Sequence, residues 1–283
     1  MHNWEIPLVL FTVLTQWAVG IALILTVVEF FFAKLVAGGR EKFLRPAGMM
    51  TLPLVGGGLL FSVFHLGQPW QAVTALSNLG TAALSLEVLL FALVALLALA
   101  YSYIWWKKAD QAGVRKLAGL GVSVVGLAAV AVSSKVYMLP ARPAWNSWTT
   151  PGAFLLTAVV LGTFTVLFCL GRSKDKEVAP GIKSFSMVAM AALAAGLLVL
   201  SGSGAMAGNS AEQAAVALGM FSSPVFYVRA ILGVLVPAAC VGLALQAEGR
   251  SALLGLGLAG VLVGEISGRI LFYASTMALY PWF

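Results

Sequence analysis

Charge is scarce in this sequence: 10% of its 283 residues are Asp, Glu, Lys or Arg, where a soluble domain carries about a quarter. With 61% apolar residues and a mean hydropathy of +0.99, the protein cannot be a water-surrounded globule, and lipid is the expected solvent for most of it. Cysteine is rarer still. Cys169 and Cys240 fall inside separate apolar segments with no close-spaced partner, so this chain alone cannot hold an iron–sulfur cluster, and both thiols read as inert core residues. Histidine occurs only as His2 and His65. A two-haem arrangement with four histidine ligands is therefore excluded, a single bis-histidine haem would need the N-terminal tail, histidine with one of the nine methionines is the remaining ligand pair, and no haem is expected. Period-two alternation is also missing, which argues against a membrane barrel.

What is there is a succession of apolar runs. A hydrocarbon core of about 30 Å takes roughly 20 residues per helical crossing. Eight such segments are predicted, near 8–32, 47–66, 86–106, 117–138, 152–171, 184–205, 228–247 and 252–275. The expected fold is all-α, a single transmembrane domain over residues 1–283, because no stretch is long enough for a separate soluble domain.

The net charge of +7 has a topological origin. Lys34, Arg40, Lys42 and Arg45 follow the first segment, Lys107, Lys108, Arg115 and Lys116 the third, Arg172, Lys174, Lys176 and Lys183 the fifth, and Arg250 the seventh. All lie in alternate connections, so the positive-inside rule places these in the cytoplasm and both termini outside, and nucleic acid is not an expected partner. The N-terminal Met-His-Asn-Trp-Glu-Ile-Pro lacks the basic flank of a signal peptide and reads as the start of an uncleaved, outward-facing first helix. The outer connections, 67–85, 139–151 and 206–227, are longer and nearly free of Lys and Arg, and they carry Trp70, Trp145, Trp148, Phe221 and Phe226. An interfacial aromatic belt explains part of this. The length and neutrality on one side only fit a docking platform for a second subunit.

Ionisable residues within a span cost a few kcal/mol each and mark candidate sites. Here they are Glu29, His65, Glu87, Lys135, Arg229, Glu265 and Arg269, and all but Glu29 belong to the outer half. Glu265 and Arg269, four residues apart with the acid first, are predicted to form an ion pair on one helix face. Gly260, Gly264 and Gly268 repeat beside them and predict a close helix neighbour. His65 ends the second segment and Glu87 opens the third on the same side, so the two can share a site. An imidazole that accepts a proton from a quinol hydroxyl, with a carboxylate to pass it on, is the chemistry of quinol oxidation. The contrasting class is a secondary transporter or channel, with the charges as ion sites. Against it, the charges cluster on one side of the membrane, and no internal repeat is visible in the sequence.

At His65-Leu66-Gly67-Gln68-Pro69, Ser85-Leu86-Glu87, Trp145-Asn146-Ser147-Trp148-Thr149-Thr150-Pro151 and Gly264-Glu265-Ile266-Ser267-Gly268-Arg269-Ile270-Leu271-Phe272-Tyr273, the sequence resembles the membrane-anchor subunit of bacterial dimethyl sulfoxide reductase, a component of anaerobic respiration. The likeness covers essentially the whole sequence. It implies a haem-free inner-membrane anchor that oxidises menaquinol and takes no part in the terminal reduction. Electrons would pass to a subunit with four iron–sulfur clusters docked on the outer face, then to a molybdenum bis-pterin catalytic subunit. It ties His65 and Glu87 to menaquinol. Arg269 and Glu265 are expected near the same site, and Lys135, Arg142 and Arg229 at its edge are expected to steady negative charge or to pair with the partner.

Overall fold

The structure, a computed structural model, describes residues 5–37, 39–65, 83–140, 142, 144–205, 211–247 and 250–277, and among them there are no strands. In lipid every backbone amide must be satisfied within its own segment, and the apolar runs accordingly form helices. These are α1 (Ile6–Phe31), α2 (Glu41–His65), α3 (Ala83–Lys107), α4 (Ala112–Tyr137), α5 (Thr149–Gly171), α6 (Ala179–Ala205), α7 (Ala211–Ser222), α8 (Pro224–Ala230), α9 (Val236–Ala244) and α10 (Arg250–Met277). A π-helical turn, Ile231–Leu235, joins α8 to α9 into one crossing, so eight helical segments are long and apolar enough to span a membrane.

All eight predicted segments are present, with two departures. The connection 206–227, read as a neutral loop, contains α7, and the seventh crossing begins at Pro224. At 1.5 Å per residue α7 covers about 18 Å, too short to cross, so hydropathy tuned to full spans passes over it.

α1 and α5 lie at the centre, with 78% and 72% of their most apolar stretches buried. α1 packs on α2 and α4, α2 on α3, and α3 on α4; α5 packs on α6 and α10, α9 on α10, and α6 more lightly on α9. The molecule is thus two up-and-down rings of four crossings joined back to back along α1 and α5. The repeat that the sequence hides is one of connectivity: four consecutive crossings with antiparallel neighbours close into a ring whatever their side chains.

Small residues make the central joint. A Cβ on Gly20 would lie 1.8 Å from the Ala158 carbonyl oxygen, and one on Gly162 would lie 2.2 Å from that of Gly20, so these backbones touch. Trp17 Nε1 donates across the joint to Thr165 Oγ1 at 2.7 Å. Thr12, Thr15 and Thr26 are buried in α1 because each hydroxyl donates to a carbonyl one turn back. Pro53 inside α2 lacks the N–H that the Met49 carbonyl would accept, and Ser102 of α3 takes that role, with Oγ 3.3 Å from Met49 O.

The basic connections gather at one end, where Arg40 pairs with Asp175 at 2.7 Å and also with Glu177. Just inside that end Arg115 Nε meets Glu29 Oε1 at 2.6 Å, both side chains 2% exposed, with the guanidinium carbon 5.0 Å from the Trp105 ring centre. Arg115, counted from sequence among the connection charges, is the buried partner of Glu29. Cys169 and Cys240 are buried, as expected of core thiols.

Candidate functional site

The opposite, neutral end carries the site. Here α2 ends at His65 and α3 begins at Ala83, so the two predicted residues stand at the same end of adjacent helices. The His65 side chain, Trp70 and the rest of 66–82 lie outside the described residues. Glu87 is 6% exposed and lies beside Ser133 of α4. Neither its Oε1 nor the Ser133 hydroxyl has a hydrogen bond of good geometry among the described residues. A buried carboxylate oxygen without a donor costs roughly 1–3 kcal/mol or more, and Glu87 shares this condition with Glu29 Oε2 at the basic end.

One turn beyond Ser133, Tyr137 accepts a hydrogen bond of 3.0 Å from the Tyr273 hydroxyl of α10. Trp145, Phe154 and Phe272 pack around this pair, Trp145 stacked on Phe272 with ring centres 5.1 Å apart and its Nε1 donating to the Phe272 carbonyl at 2.8 Å. Trp145, one of the aromatics predicted to form a docking surface, is therefore partly buried against α10. Trp148 is 58% exposed.

One turn before Tyr273 stands Arg269, 3% exposed, its guanidinium carbon 3.7 Å from the Phe154 ring centre. Its NH2 donates to Gln16 Oε1 at 2.8 Å and, at 3.4 Å, to Thr157 Oγ1. Thr157 Oγ1 lies 2.5 Å from Glu265 Oε2 and 2.9 Å from the Ala153 carbonyl, so its single proton serves one of the two. The predicted Glu265–Arg269 ion pair is thus corrected: the two charges share a helix face but meet through Thr157 instead of directly. The hydroxyl of α5 intervenes because α5 packs closely on α10. The glycine repeat acts as predicted, since a Cβ on Gly264 would lie 2.2 Å from the Gly233 Cα, and one on Gly268 would lie 2.7 Å from the guanidinium carbon of Arg229.

Glu87, Ser133, Tyr137, Tyr273, Arg269, Gln16, Thr157 and Glu265 form a polar seam across the neutral end, from the first ring to the second. Four of these, Glu87, Arg269 and Glu265 together with the motif residue Tyr273, were legible in the sequence. Ser133, Tyr137, Gln16 and Thr157 were missed. A signal existed: Thr12 and Gln16, Ser133 and Tyr137, and Arg269 and Tyr273 are polar pairs four residues apart within apolar spans. Lys135 is exposed, while Arg142 is partly buried with its guanidinium carbon 5.4 Å from the Trp145 ring centre.

The family model for the DMSO reductase anchor subunit (DmsC) matches residues 1–275. The protein is similar to YnfH, an anaerobic dimethyl sulfoxide reductase chain of Escherichia coli, with 32% identity over 98% of this sequence and 96% of that one. It is 28% identical to another anaerobic dimethyl sulfoxide reductase subunit of Escherichia coli, again over 98% and 96% of the two sequences. The corresponding subunit of the Haemophilus influenzae anaerobic dimethyl sulfoxide reductase is 30% identical over 59% of this sequence and 58% of its own length. With eight apolar crossings, a buried polar seam at one end and a family match along nearly its whole length, this chain belongs to the DMSO reductase anchor subunit family and is a multi-pass membrane anchor of a molybdoenzyme complex.

Proposed function

We propose that this anchor oxidises menaquinol at the neutral end of the bundle, without a haem of its own, and hands the electrons to an iron–sulfur partner subunit. The observation that carries the reading is Glu87, a buried carboxylate with one oxygen unclaimed among the described residues, at the end where α2 delivers His65. Quinol oxidation releases two protons and two electrons. The Glu87 carboxylate and the His65 imidazole are the two acceptors, and each takes one proton from a ring hydroxyl. The electrons leave singly for a cluster in the subunit docked on this face, and a further partner with a molybdenum bis-pterin consumes them. The quinone supplies the redox chemistry; this chain binds the ring, orients it and holds the protons. Arg269 and Glu265 act from behind the Tyr137–Tyr273 pair as positioning residues. The neutral end faces outward in this reading, so the protons leave on the outer side.

Binding of a fluorescent quinol-site inhibitor to membranes tests the site. Glu87→Gln keeps the side-chain shape and removes the acceptor charge, so binding is expected to weaken at least severalfold, while Lys108→Gln, exposed at the opposite, basic end, leaves it unchanged. Equal binding by wild type and Glu87→Gln would remove Glu87 from the site.

A further inference from the structure

The second ring of helices holds two cavities that run into each other. The first, about 90 Å³, opens among Arg229, Glu265, Arg269 and the hydroxyls of Ser147, Thr149 and Thr150. The second, about 20 Å³, continues deeper between α6 and the α8–α9 crossing, with walls such as Leu156, Val160, Leu193 and Leu197. They share Ala153, Val199, Leu200, Arg229 and Glu265. A polar chamber at the neutral end thus continues into a narrow apolar slot whose wall at Leu197 is exposed, so that an acyl chain would lie along it from the bilayer side and not inside a closed cavity.

The charges select the head. Arg269 is nine-tenths buried and more, its Nε has no hydrogen-bond partner among the described residues, and its other contacts are to neutral groups. The Arg229 guanidinium lies across Gly268 from it. Glu265 is engaged by Thr157. Among the described residues that line the chamber, two fixed cations face one carboxylate, and an uncompensated positive charge in a low-dielectric site favours an anionic guest. The ring order adds a comparison. Glu87 stands near the start of the third crossing of the first ring, and Arg229 stands near the start of the third crossing of the second. An acid suits a quinol, which must give up protons; guanidiniums only donate hydrogen bonds and suit a phosphate.

We propose that the second ring binds an anionic phospholipid, its phosphodiester between Arg229 and Arg269 and an acyl tail in the slot between α6 and the α8–α9 crossing. The chamber shares Arg269 and Glu265 with the seam behind the quinol site, while Arg229 and the slot belong to the second ring alone.

Native mass spectrometry of the full-length protein, purified in detergent with the subunits it carries, tests the proposal. Wild type is expected to retain a phosphatidylglycerol- or cardiolipin-mass adduct, and Arg229→Gln to lose it at least severalfold with unchanged helix content. Added phosphatidylglycerol raises the melting temperature of wild type more than phosphatidylcholine or inorganic phosphate does, and Arg229→Gln abolishes the difference. Leu197→Trp, which fills the slot without touching a charge, gives the same loss and serves if Arg229→Gln does not fold. A retained adduct of quinone mass, equal shifts with phosphatidylcholine, or an adduct that survives both substitutions would overturn the proposal. A shift with inorganic phosphate equal to that with phosphatidylglycerol would overturn the lipid assignment.

Discussion

The side chains that decide this molecule are the few polar ones that lipid would otherwise reject. Glu29 and Arg115 are the most buried ion pair among the described residues, joined at 2.6 Å away from water. Breaking such a pair by removing one member leaves a lone buried charge, at a cost of about 3–5 kcal/mol. Arg115→Ala is therefore expected to lower the thermal melting point of the detergent-solubilised protein sharply, and Glu29→Gln combined with Arg115→Met to recover much of the loss; equal damage in both would mean that packing, not charge, dominates there. The pair in the basic connections behaves differently because it meets water. The Arg40 guanidinium holds the Asp175 carboxyl below its ordinary range. A carboxyl depressed by folding contributes stability above its unfolded value and loses it as pH falls through the folded one. Melting points measured from neutral pH down through the carboxylate range should thus fall less steeply for Asp175→Asn than for wild type. Identical slopes would show that the contact contributes nothing. Of the residues in the seam, those with a charge could be read from sequence, since a charge in an apolar run stands out. Ser133, Gln16 and Thr157 carry no charge, and the four-residue pairing of Gln16 with Thr12 and of Ser133 with Tyr137 is a fainter signal, because a hydroxyl or amide is ordinary in a membrane helix until its partner on another helix is known.

Helices meet here where side chains are missing. A Cβ on Gly162 has backbone in its way, whereas nothing lies within 4 Å of one on Gly56. Gly162→Val is accordingly expected to part α1 from α5 and abolish the folded, monodisperse species in size-exclusion chromatography, while Gly56→Ala elutes as wild type; a normal elution profile for Gly162→Val would contradict the central joint. Sequence periodicity located the crossings because each is a long apolar run, and it predicted the close approach at Gly260, Gly264 and Gly268 from their spacing. It passed over α7, which is too short to register as a span, and over the π-helical turn before Pro237, which replaces an α-helical hydrogen bond that proline cannot make. It also placed Glu265 and Arg269 on one face correctly and paired them wrongly, because same-helix spacing says nothing of a threonine from α5 that comes between.

At the scale of the whole molecule the protein separates two functions by end. Basic connections fix the orientation at one end, and the polar seam with its neutral surroundings occupies the other. On the positive-inside rule the seam is expected to lie outside. Cysteines introduced one at a time test this: Asn146→Cys is expected to react with a membrane-impermeant maleimide in intact spheroplasts, and Lys108→Cys only after permeabilisation, whereas the reverse pattern would invert the topology. The two-ring plan was hidden in the sequence because the rings share an order of neighbours without sharing residues: near the start of its third crossing one ring carries Glu87 and the other Arg229. The central claim, a haem-free quinol-oxidising anchor, is tested most directly by quinol-driven and dye-driven turnover of the purified complex containing the wild-type anchor, His65→Ala or Glu87→Gln, together with a reduced-minus-oxidised absorption spectrum. The expected result is a loss on the order of 100-fold in quinol-driven turnover for either substitution, full dye-driven turnover and no haem bands; normal quinol oxidation by both variants, or a haem spectrum arising from this subunit, would contradict the account.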